Sequence, residues 1–327
     1  MVWPAFRETM SPTRAAPGPR HLAVTEAKFL RSEAHHHYRQ RMFGQRIIAR
    51  SMSATRIADQ HGNNWQYHSR SDRHSKVACW VVLFDVLQRC PLLRRHALEG
   101  KVAFGINHRM IDFRTDKQKD LDLVICVPRE EDEEEAPGRW RSFADLAREY
   151  GVILDDKETE VLASLPPLEN RPVGDVLMAL EAKAAMTAHV RAAPRLFDEL
   201  TSAYTCINGA SQHAVAVGLV MINSSSEFVS SDRNKRGFDP AAPEVTIERQ
   251  PNGAQVILDR VRKLRVRSHT TEHGFDAVGV LPLHMRNDGG NVDIANIPGF
   301  PAGGENYHYE TMITRIASLY DGRFQAR

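Results

Sequence analysis

Cysteine is scarce in this chain: Cys79, Cys90, Cys126 and Cys206 are all there are, and none forms a CxxC pair. Three of them lie in apolar segments, which fits reduced, buried thiols of a cytoplasmic protein rather than a disulfide framework. Long apolar runs are missing too. None is long enough to span a bilayer, and the N-terminal stretch lacks the apolar core of a secretory signal, so no membrane partner is expected. No internal repeat is evident, which sets solenoids aside.

What is present is an ordinary globular composition, 327 residues of which 42% are hydrophobic and 26% charged, enough for one large domain with a smaller accessory region. The net charge of +2 is unevenly spread. Residues 1–76 carry a net +8, residues 77–183 a net −6, and the remainder is balanced. A basic N-terminal third points to a polyanionic partner.

Residues 1–24 are rich in Pro, Arg and Ala without periodicity, and are expected to be a disordered basic tail. Residues 25–50 read as a basic amphipathic helix, with Arg39, Arg41 and Arg46 on its charged side. The run His35-His36-His37 makes no ligand set, because consecutive helical residues face different ways. A polar stretch holding Trp65 and Tyr67 precedes an apolar helix near 77–93, capped by Ser71 or Asp72. Arg70, Arg73, His74 and Lys76 cluster at its start, where free amides already favour an anion. The two aromatics interleaved with these bases suit stacking on nucleotides.

Residues 101–112 and 120–127 read as the strands of a β-hairpin, and in the second strand Asp120 and Asp122 share a face. The acidic run 130–135 is a solvated loop, followed by short helices near 141–150 and 157–164. Residues 176–189 form an apolar strand bearing one acid and one base, Glu181 and Lys183, two positions apart and hence on one face. An apolar strand must pair such charges, solvate them or use them. A helix over 187–204, broken or kinked at Pro194, brings His189, Arg191 and Arg195 towards the strand's end. A doubly buried strand at 213–223, a basic helix at 252–267, a late strand at 277–283 and a closing helix at 307–320 complete an α/β or α+β core.

The Asp120-Leu-Asp122 hairpin strand followed by Glu181-Ala-Lys183, a helix and a buried strand resembles the PD-(D/E)XK nuclease superfamily, whose best-known members are restriction endonucleases. The resemblance covers residues 77–223. It implies a restriction-endonuclease-like mixed β-sheet flanked by helices, in which 25–76 contacts DNA and 77–327 is the nuclease core. The stretch 128–172 is then an insertion. The resemblance also implies that Asp122 and Glu181, with Asp120 as alternate or second ligand and a carbonyl such as that of Ala182, bind Mg²⁺ or Mn²⁺. Lys183 then orients or activates the attacking water, with a pKa lowered by burial and the metal. Arg39, Arg41, Arg46, Arg70, Arg73 and Lys76 are the candidate DNA contacts. The implied protein is a metal-dependent endodeoxyribonuclease of a restriction or anti-phage defence kind, working as a homodimer. The alternative is a non-catalytic nucleic-acid-binding or regulatory protein that keeps the same core.

Overall fold

Twelve residues of the segment 73–89 are buried, because that segment is apolar on nearly every side, and a helix of this kind has to run through the interior. It is the central helix of the computed structural model, which describes residues 42–129, 140–236 and 238–326. Before this helix come α1 (Gly44–Ala54) and a small ribbon of β1 (Ile57–Ala58) and β2 (Asn64–Trp65). The central helix is α2 (Arg73–Arg89), followed by α3 (Pro91–Leu98), with Pro91 in the first turn and the Cys90 sulfur accepting from the Leu93 amide.

Strands β3 (Ala103–Asp112) and β4 (Lys117–Pro128) form the expected hairpin, with a shorter turn than the sequence suggested. Helices α4 (Phe143–Tyr150) and α5 (Asp156–Ser164) start where predicted because each opens on a capping box, Ser142 with Asp145 and Asp155 with Glu158. Left-handed Gly151 ends α4. Strand β5 (Val173–Ala185) leads into α6 (His189–Ala210), then β6 (Val215–Asn223). Pro194 removes one amide from α6 without dividing it into two helices. A ribbon of β7 (Glu227–Val229) and β8 (Val245–Ile247) precedes α7 (Asn252–Val261), β9 (Ala277–His284), β10 (Asp293–Ile294) and α8 (Tyr309–Phe324).

Six strands form one mixed sheet in the order β10-β9-β6-β5-β4-β3. The β3–β4, β4–β5 and β9–β10 pairs are antiparallel, and β5–β6 and β6–β9 are parallel. Every residue of the central strand β6 is buried, as expected for a strand covered on both faces. One apolar layer joins the sheet to α1, α2, α3, α4 and α8; the other joins it to α6 and α7. The mixed α/β class predicted from the sequence is therefore observed, with eight helices among the described residues.

The N-terminal region differs from expectation. Arg39, Arg41, the histidine run and the acidic loop 130–135 lie outside the described residues, but residues 42–76 belong to the same body as the core. Ile47 and Ile48 are fully buried against α2, and the Trp65 ring, expected to stack on nucleotides, is buried against Phe238 at 4.8 Å. Arg267, the last residue of the predicted basic helix 252–267, lies beyond the end of α7 and is buried on Asp276 at 2.7 Å. All four cysteines are free and buried.

The entry of α1 depends on Asp85 of α2. Its buried carboxylate accepts from the Phe43 and Gly44 amides at 3.2 and 3.0 Å and from the Tyr309 hydroxyl at 3.0 Å. Burial still pushes its pKa up to about 6. Asp85→Ala strands three buried donors at once, and urea unfolding should show a loss of about 2–4 kcal/mol. A loss below about 1 kcal/mol would mean that these donors find water instead.

Candidate active site

Strands β4 and β5 stay paired only over part of their length. Their register runs from Pro128↔Val173 to Leu123↔Leu180 and stops there. Asp122 and Glu181 are the next residues on the two strands, and they lie just beyond the last paired position. Beyond it β4 remains on β3 and β5 remains on β6, and the sheet forks. The Asp122 carboxylate takes over the missing ladder bond: its Oδ2 accepts from the Ala182 amide at 3.0 Å, and its Oδ1 accepts from Ser75 Oγ at 3.2 Å. The fork opens into a cleft of about 580 Å³ between the start of α2 and the first turns of α6, lined among others by His74, Ser75, Asp122, Lys183, Arg195 and Glu199.

The charges in the fork are tightly interlocked. Glu181 is only 2% exposed. Its Oε1 receives two ammonium groups, Lys183 Nζ at 2.8 Å and Lys119 Nζ at 3.2 Å. Its Oε2 is buried and has no hydrogen-bond partner. Lys183 also reaches Glu199 Oε2 of α6 at 3.5 Å, and Arg195 holds the other side of Glu199 at 2.7 Å.

Burial first, and then the neighbouring Glu181 charge, raise the pKa of Asp122 to about 6 against the pull of the Ala182 amide, Lys183 and Ser75. For Lys183 burial works against the ammonium, but Glu181, Asp122 and Glu199 outweigh it and hold the pKa well above the ordinary lysine range. Without a metal, burial by itself therefore does not make this lysine base-like. Three carboxylates close to one ammonium keep it charged.

Of the residues singled out in the sequence, Asp122, Glu181 and Lys183 are brought together. Asp120 is not. It sits on the exposed part of β4, where Arg109, its partner in the β3–β4 register, binds it at 2.8 and 3.3 Å and lowers its pKa. The basic cluster at the start of α2 is divided. Arg70 lines the cleft, whereas Lys76 turns to Asp72 at 2.9 Å and lies over the Tyr150 ring, and Arg73 lies against Gly151 at the end of α4. Arg46 lies over Phe43 and does not line the cleft. The cleft draws its positive charge instead from Arg191 and Arg195 of α6, with Arg70 and Lys183. Tyr67 does reach it, packed on the His74 ring at 4.9 Å.

Lys119 and Glu199 were not identified from the sequence. Lys119 lay in the predicted turn before the second hairpin strand and Glu199 within the predicted helix 187–204; only the fold brings both to the fork.

A buried carboxylate oxygen without a partner, next to a second carboxylate at the fork, fits the donor set of a hard divalent cation. Mg²⁺ commonly takes one or two carboxylates and leaves its other positions to water and phosphate oxygens. Among the described residues no group of three or more His, Cys, Asp or Glu side chains is gathered to hold a metal, so a protein cage of the zinc or calcium type is not built here.

The raised pKa of Asp122 makes its charge a cost to the fold. The folded chain binds this proton more tightly than the unfolded chain, so stability is greatest at acid pH and is lost as pH rises from about 4 through 6. Asp122→Asn keeps an acceptor for Ala182 and removes the charge. In EDTA at pH 8 the variant should be more stable than wild type by about 1–3 kcal/mol, with the gap shrinking as pH falls towards 4. Urea titrations at the two pH values measure it, and a gap that does not change with pH would contradict the assignment.

No protein-family model, no curated protein and no solved structure matches this chain, so its site has to be read from its own geometry.

Proposed function

We propose that this protein is a metal-dependent endonuclease that hydrolyses phosphodiester bonds of DNA, with a restriction-endonuclease-like core serving restriction or anti-phage defence. The observation that carries the reading is the fork itself: Asp122 and Glu181 stand on neighbouring strands just past the point where β4 leaves β5, with the unpartnered buried Oε2 of Glu181 and the Lys183 ammonium on its Oε1. The same residues carry the resemblance to PD-(D/E)XK nucleases, and the order from α2 to β6, once α3 and the inserted α4 and α5 are set aside, is a helix, a hairpin, a strand, a helix and a strand.

Asp122 and Glu181 would hold Mg²⁺ or Mn²⁺. Bound there, the ion supplies a Lewis acid for the phosphate and acidifies a water molecule. The chain's own groups do the rest. Lys183, an ammonium in the metal-free site, would act as a donor that orients the attacking water and offsets the negative charge that grows on the phosphoryl oxygens in the transition state. Glu199 and Arg195 hold Lys183 from the α6 side. Arg70, Arg191 and Arg195 give the cleft the positive rim that a phosphate backbone requires. A two-fold homodimer would place one such site on each strand of a duplex.

Purified protein should cut duplex DNA with Mg²⁺ or Mn²⁺ and not in EDTA. Glu181→Gln and Lys183→Ala should each lower single-turnover cleavage by about 100-fold or more with the fold intact by circular dichroism. The non-catalytic alternative draws on the masking of Glu181 by two lysines, and it requires DNA binding indifferent to EDTA with no cleavage in any metal.

DNA affinity gives a separate check. Arg70→Ala combined with Arg191→Ala should weaken binding and reduce the slope of log K against log salt by about one per lost phosphate contact. An unchanged slope would remove these two residues from the interface.

A further inference from the structure

The cleft has a neighbour that the catalytic assignment does not use. A second cavity, of about 480 Å³, lies between the β1–β2 ribbon and the turn that follows β7. Arg70, Ser71, Asp72 and Asp232 line both cavities, so the two adjoin. Each has the size that encloses one small organic group. Their charges differ. Four Lys or Arg side chains and four carboxylates line the first cavity, two and three the second. In the first, Lys183 and Arg195 hold Glu199, and the Ala182 amide and Ser75 hold Asp122. Arg70 and Arg191 make no ion pair among the described residues, which leaves both to a phosphate.

The acids of the second cavity are of three kinds. Asp59 is filled by its own turn, accepting from the His61 and Asn63 amides and from the Asn63 and Trp65 side chains. Asp72 is bound to Lys76 at 2.9 Å. Asp232 has neither kind of support. Its side chain accepts from Ser69 Oγ at 3.2 Å, and among the described residues it forms no ion pair, although it stands exposed where the cavities meet. An uncompensated carboxylate repels phosphate but readily accepts N–H groups of a neutral ligand. Lys235, three positions on, also forms no ion pair among the described residues and supplies a donor. A nucleobase is such a ligand: neutral, flat and edged with donors and acceptors. The pairing edge of guanine sets two N–H donors beside a carbonyl oxygen, which matches a carboxylate next to an ammonium. Within a duplex that edge is already paired, so only a nucleotide outside the stack can enter.

We infer that the second cavity holds the base of an unpaired nucleotide whose phosphate lies in the first cavity, and that Asp232 and Lys235 read this base as guanine. The assignment rests on the nuclease reading and narrows its substrate to DNA that presents one nucleotide outside the stack, in a single strand or extruded from a duplex. Asp232 then weakens general DNA binding, because it opposes the phosphates, and in return discriminates between bases.

Fluorescence anisotropy of labelled oligonucleotides, with the full chain in EDTA so that nothing is cut, tests this. The probes are a fully paired duplex, the same duplex with one bulged guanine or one bulged thymine, and the guanine-bearing single strand. The bulged-guanine duplex, the single strand or both should bind about tenfold more tightly than the paired duplex, and whichever does so identifies the source of the unpaired nucleotide. Bulged thymine should gain less than about threefold. Asp232→Ala should bring the two bulged duplexes within about twofold of each other, and Lys235→Met should shrink the same ratio. Loss of a negative charge by itself would strengthen binding of every probe alike and leave the ratio unchanged. Equal binding of all four probes, a gain that does not distinguish guanine from thymine, or a guanine preference that survives both substitutions would overturn the inference. Mg²⁺-dependent cutting of the paired duplex would in those cases leave the nuclease reading standing. A chain that binds none of the probes and cuts nothing would overturn both.

Discussion

The separation of β4 from β5 after Leu123↔Leu180 is the constraint on which the rest of the site depends. Two paired strands satisfy each other's backbone and leave no room between them. Here β4 follows β3 and β5 follows β6, so the unpaired backbone needs other partners. Asp122 provides one by accepting the Ala182 amide with its side chain. The gap this opens is the cleft between α2 and α6. One lost stretch of ladder thus creates both the cleft and the acid at its base.

Buried charges in this molecule fall into two kinds. Asp276 is enclosed by Arg267, Arg323 and the Ala216 amide, and although burial disfavours its charge, these partners lower its pKa overall. Such a saturated network ties β9 to α8 and to the start of β6, and needs nothing from outside. The fork is the opposite case. Asp122 is pushed up to about 6, and Glu181 keeps a bare buried oxygen while two lysines crowd its other one. A buried carboxylate oxygen without a partner, close to an open cleft, is the feature on which the proposed metal site rests.

The basic residues show how far composition reaches. The charge excess of the first 76 residues pointed to a polyanionic partner, yet the arginines that line the cleft come from both sides of it, Arg70 before α2 and Arg191 and Arg195 on α6. Arg73 and Lys76, adjacent to Arg70 in sequence, turn towards the end of α4 instead. A helix start gathers charges in sequence, but its side chains leave in directions about 100° apart, so only some face one cavity.

The apolar periodicity, the capping boxes and the i, i+2 spacing of Glu181 and Lys183 determined the strands, the helices and the acid-base pair, because these are local consequences of side-chain direction and backbone geometry. Strand order, the end of the β4–β5 ladder and the choice of Asp122 over Asp120 were decided by the tertiary structure. Both acids lie on one strand with the same parity, and only the partners across the sheet distinguish them: Arg109 for Asp120, the Ala182 amide for Asp122. The same holds for Lys119 and Glu199, which lie 64 and 16 positions from Lys183 and meet at the fork only because β4 and α6 pack beside β5. Long-range pairing leaves no periodic trace in the chain.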